Sequence, residues 1–122
     1  MTTTEAVIWS FRDLLDRHQN DLLEAEQVNS GFLPKAGHGD DIWLRTERVH
    51  IVAEVTLSGE GCSWGDTVGV KRQNIIDKLQ KLRQRTGATH RYLFLAECIA
   101  ASVQKRVNPG EVMVVGIPSS TS

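Results

Sequence analysis

A glutamate stands in the middle of an apolar run, and few structural settings tolerate that. From Val49 to Leu57 the chain alternates as a strand does. Val49, Ile51, Ala53, Val55 and Leu57 point one way, and His50, Val52, Glu54 and Thr56 the other. A carboxylate at the centre of such a strand costs free energy unless another charge meets it. One compensation is a divalent metal ion shared with a second carboxylate. Asp41 stands upstream, at the head of the strand Ile42-Trp43-Leu44. The turn Thr46-Glu47-Arg48 folds the two strands into a hairpin and carries Asp41 towards Glu54. Asp40 is the alternative to Asp41, because the phase of Ile42 and Leu44 does not choose between them. The competing account of Glu54 is a pairing with a basic side chain such as Lys71.

Around this hairpin the chain reads as one α/β domain over residues 1–118, with a disordered tail at 119–122. Thr2 and Glu5 have capping-box spacing, and Val7, Phe11, Leu14, Leu15, His18 and Leu22 recur at helical intervals. His18 on that stripe reads as a half-buried packing residue. Asn29-Ser30-Gly31 reads as a turn, with a brief strand at Phe32-Leu33 before Pro34. Four glycines make residues 58–69 a loop, in which Trp64 either stacks on a base or pins the loop to the core. A helix follows over 70–85, buried through Ile75, Ile76, Leu79 and Leu82 and ended by Gly87. His90 to Ala96 is apolar on both faces, as a central strand is. A helix over 98–107 and a strand over 111–117 complete a βαβ rhythm. The first half is then antiparallel and the second parallel, in a mixed sheet with helices on both faces.

Charge separates along the chain. Residues 1–26 carry six acids against Arg12 and Arg17, whereas residues 71–91 carry seven of the 14 basic residues against Asp77 alone. That local concentration suits a phosphate backbone, despite a net charge of −1. No apolar run approaches the roughly 18 residues of a membrane span. Cys62 and Cys98, without a Cys-x-x-Cys, read as free thiols of a reducing, cytoplasmic compartment. His38, His50 and Cys62 match no zinc spacing; His50 reads instead as a partner of the acidic site. No phosphate-cradling glycine motif is present, so no nucleotide cofactor is expected.

Gly39-Asp40-Asp41, twelve residues, then Glu54-Val55-Thr56, set between a first helix and a later buried strand, resemble the PD-(D/E)XK nuclease superfamily. The resemblance spans about residues 5–97. Glu54-Val55-Thr56-Leu57 with a glycine loop behind it is similar to type IIS and nicking restriction endonucleases, which also carry threonine where most members have lysine. The resemblance implies a restriction endonuclease-like mixed sheet, and an endonuclease that hydrolyses DNA phosphodiesters with Mg²⁺ or Mn²⁺. Asp41, Glu54 and the Val55 backbone carbonyl are then the metal ligands, and Thr56 and Lys71 further catalytic residues. Thr56 cannot carry the family lysine's charge. Lys71, Arg72 or Gln73 at the start of the next helix, or Lys35, would supply it, beside a helix N-terminus that itself attracts phosphate. A third acid would come from Asp66, Asp21 or Glu24. Lys71, Arg72, Gln73, Lys78, Lys81 and Arg85 would grip DNA. Restriction or other defence against foreign DNA is the implied role, as a homodimer or with a partner subunit. The alternative is an inactive module of the same fold that binds nucleic acid or a protein.

Overall fold

The computed structural model describes residues 1–32 and 41–119. The strand holding Glu54 is β3 (His50–Val55), the centre of a five-stranded sheet. β1 (Asn29–Phe32) and β2 (Ile42–Arg45) pair with it as an antiparallel meander; β4 (His90–Ala96) and β5 (Met113–Ile117) continue it in parallel. Spatial order follows chain order, β1-β2-β3-β4-β5. The mixed sheet is therefore divided as the sequence predicts, antiparallel first and parallel second.

Helix α1 (Thr3–Arg17) starts at a capping box. Thr2 Oγ1 accepts the Glu5 N–H, and the Glu5 carboxylate accepts the Thr2 N–H. Its Ala6, Val7 and Leu14 bury against one face of the sheet, on Ile42, Leu44, Ile51, Ala53, Val55 and Phe94. A short helix α2 (Gln19–Leu23) follows. The opposite face takes α3 (Gly69–Arg83) and α4 (Glu97–Gln104), where Ile75, Leu82, Ile99 and Val103 pack on Val52, Leu93 and Leu95. Each parity class of β3 and β4 thus meets its own helix layer, which is why these strands are apolar on both sides.

Several boundaries depart from the sequence reading, among them α4, which spans Glu97–Gln104 rather than 98–107. Asn29-Ser30-Gly31 is the edge strand β1 rather than a turn, pairing with Arg45, Leu44 and Trp43. Gly31 is required there because a Cβ would stand 2.7 Å from the Trp43 indole nitrogen. Helix α3 ends at Arg83, before Gly87, and Glu111 belongs to a turn rather than to β5. Within the stretch read as a tail, Ser119 N–H and Oγ both bind the Glu97 carboxylate; residues 120–122 lie outside the described ones. No described helix is long and apolar enough to cross a membrane.

Candidate functional site

Register brings the two acids together. Ile42 pairs with Ala53, so Asp41 falls opposite Glu54. Ile42 and Ala53 face α1, which turns Asp41 and Glu54 towards α3. Each carboxylate then accepts a backbone N–H from the other strand. Asp41 N–H donates to Glu54 Oε2 at 2.8 Å, and Val55 N–H donates to Asp41 Oδ2 at 2.9 Å. Of the two candidate aspartates, Asp41 occupies this position; Asp40 lies outside the described residues.

Helix α3 brings the countercharge. Lys78 Nζ stands 2.8 Å from Asp41 Oδ2 and 3.6 Å from Glu54 Oε1, and Lys81 Nζ stands 3.1 Å from Glu54 Oε1. Glu54 is only 1 % exposed, and its Oε1 makes no hydrogen bond among the described residues despite the nearby ammonium groups. The ion pairs thus supply charge without the directed bond that a buried oxygen requires. Burial first, and the Asp41 charge second, push the Glu54 carboxyl above its ordinary range. The Asp41 N–H, Lys78 and Lys81 pull the other way.

No family model, curated protein or solved structure matches the chain. The site must therefore be interpreted from its own geometry.

The charge at the carboxylates comes from a different turn of α3 than expected. Lys71 is exposed, two turns before Lys78, and makes no ion pair with Asp41 or Glu54. Arg72 faces the glycine loop, where its Nε binds the Thr67 carbonyl and its Nη2 the Trp64 carbonyl, both at 2.7 Å. Its guanidinium also lies 4.2 Å from the Trp64 ring centre. Trp64 and Arg72 together pin this loop. Gln73 bonds Asp77. The Thr56 hydroxyl accepts the Ser58 N–H and shapes the exit from β3.

The proposed third acids lie elsewhere. Asp66 bonds Ser63, Asp21 bonds His18, and Glu24 pairs with Arg48. Among the described residues, no group of three or more His, Cys, Asp or Glu is placed to hold a metal ion. His50 is not a partner of the acids; its Nδ1 stands 3.4 Å from Arg45 Nη2, at the opposite end of β3. Lys35 and His38 lie outside the described residues. Both cysteines are free.

One cluster carried no signal in the sequence. His18 is buried, with Nε2 2.7 Å from the Tyr92 hydroxyl and Nδ1 2.9 Å from Asp21 Oδ2, and the His90 ring centre is 4.7 Å away. The helical stripe marks His18 only as a half-buried packing residue; it is buried, and its partner Tyr92 is 74 residues distant.

Proposed function

We propose that this protein is a metal-dependent DNA endonuclease of the restriction endonuclease-like class, whose catalytic lysine comes from a helix instead of the strand. The observation that carries the proposal is the convergence of Asp41, Glu54 and Lys78 at one point on the sheet. The order α1, antiparallel β1–β3, α3, parallel β4 is also the order that the sequence resemblance implies. Lys78 then takes the part of the family lysine that Thr56 cannot play.

The residues fit a hard divalent cation. All the donors are oxygens, and Glu54 Oε1 is buried without a hydrogen bond among the described residues. Asp41, Glu54 and the Val55 carbonyl would hold Mg²⁺ or Mn²⁺, which supplies charge for the scissile phosphate and a bound water of lowered pKa. The chain's own part is orientation. The reciprocal backbone bonds fix both carboxylates before any substrate arrives. Lys78 is 28 % exposed, so its ammonium can turn from Asp41 to a phosphate oxygen without unfolding α3. Lys81 remains beside Glu54 and limits the repulsion between the two acids.

The test is incubation of the protein with supercoiled plasmid in Mg²⁺, Mn²⁺ or EDTA, alongside Glu54→Ala and Lys78→Met. Nicking or linearisation that requires metal is expected, absent in Glu54→Ala and reduced on the order of 10²-fold in Lys78→Met. Metal-dependent cleavage that survives Glu54→Ala would refute the assignment.

A second reading, an inactive module that binds nucleic acid, is favoured by the two ammonium groups, which already compensate the acids. It requires salt-sensitive DNA affinity without turnover in any divalent metal.

A further inference from the structure

At the far end of the hairpin from Asp41 and Glu54, the surface opens into a cleft of about 320 Å³. Arg45, His50 and Arg85 line it, with the turn at residues 86–88 as its wall, and among the described residues none that lines it is acidic. Two bonds tie His50 to Thr89, the residue before β4. Thr89 N–H donates to the His50 carbonyl at 2.7 Å, and His50 N–H donates to Thr89 Oγ1 at 3.0 Å. Arg45 and Arg85 are exposed at the rim. Two arginines lining one concave site suit phosphate oxygens.

The cleft is aligned with the candidate active site. Lys78 and Lys81 stand three residues apart in the last turns of α3, and Arg85 follows just past the helix end at Arg83. His50 and Glu54 lie on the same face of β3, four residues apart, which is about 13 Å. That span covers a few nucleotides of one DNA strand.

We propose that Arg45, His50 and Arg85 form a second phosphate subsite, which holds the backbone of a DNA strand a few nucleotides from the phosphate at Asp41 and Glu54. The proposal deepens the DNA reading above and rests on it for the identity of the ligand. It adds a direction: the strand runs along β3 and α3, from the carboxylates towards the turn at residues 86–88.

The test uses the full chain, ¹⁵N-labelled, in EDTA, with a short DNA duplex and, separately, inorganic phosphate. DNA is expected to shift the amide signals of His50, Gly87 and Ala88. Arg45→Ala and Arg85→Ala should each bind about tenfold more weakly at about 0.1 M salt, with the slope of log K against log salt reduced by about 0.9. Arg12→Ala, on the opposite face, is the charge-matched control and should bind as the parent does. Amide spectra of the variants report whether each is folded. The proposal is overturned if folded Arg45→Ala and Arg85→Ala keep the parental affinity and slope. Amide shifts with inorganic phosphate but none with DNA would also overturn it, assigning the cleft to a free anion. Cleavage assays separate this proposal from the one above. Loss of affinity in Arg45→Ala without any metal-dependent cleavage by the parent supports the cleft while refuting the endonuclease.

Discussion

Lys78→Met tests the electrostatics of the site directly. At an effective dielectric constant of about 20, a unit pair at 2.8 Å is worth roughly 6 kcal/mol and one at 3.6 Å roughly 4.6 kcal/mol, before desolvation. Removing one partner of a fully buried pair costs about 3–5 kcal/mol. Here the loss should be smaller, about 2 kcal/mol. Lys78 is 28 % exposed, and Lys81 still faces Glu54 at 3.1 Å. The dependence on pH carries the sharper signature. The Glu54 carboxyl is raised above 4.5 in the folded protein, so stability is complete while it is protonated and declines as pH rises through the folded value. Lys78 lowers that value, so the variant should titrate higher still and lose more on the same ascent. Urea denaturation of parent and variant between about pH 3.5 and pH 8 should therefore give curves that converge in acid and separate above about pH 4.5. A double-mutant cycle with Asp41→Asn should show coupling of about 1 kcal/mol or more. An equal stability difference at all pH values, or no coupling, would refute the account of Glu54 as a buried carboxylate held by α3.

Other perturbations address the supporting structure. Tyr92→Phe leaves the buried His18 Nε2 without its 2.7 Å partner and should cost about 1–3 kcal/mol in thermal or urea unfolding. Burial first, and His18 second, lower the His90 pKa below 6.5. Its NMR titration should fall below that value, and stability should decline as pH drops from about 6.5 through the folded pKa. Gly116→Ala places a Cβ 3.0 Å from the Glu97 Cα. Backbone cannot yield there as a side chain can, so α4 should be pushed from β5 at a cost of about 1–3 kcal/mol, read as a lower urea midpoint.

That an acid at 40 or 41 would approach Glu54 could be read from sequence because a hairpin of short turn converts strand phase into register, but Asp41 itself is chosen only by the observed pairing of Ile42 with Ala53. The lysine could not be read in the same way. Lys71, Lys78 and Lys81 all flank the buried stripe of Ile75 and Leu82, so helical phase does not distinguish them. What distinguishes them is position along the α3 axis. Tertiary packing sets that coordinate: Asn74 meets Ser58 just past the end of β3, which leaves Lys71 beyond the sheet and places the next turn over the carboxylates. The β1 strand was obscure for a related reason. Asn-Ser-Gly has turn composition, and only the Trp43 ring over Gly31, a contact between strands, explains why a glycine is tolerated and required there. The same limit extends to the proposed phosphate path. A count of basic residues locates charge around α3, but Arg72 holds the Trp64 loop, whereas Arg45, at the end of β2, joins Arg85, just past the end of α3. Composition therefore identifies the helix, and only the docking of that helix on β3 decides which of its charges a bound strand could meet.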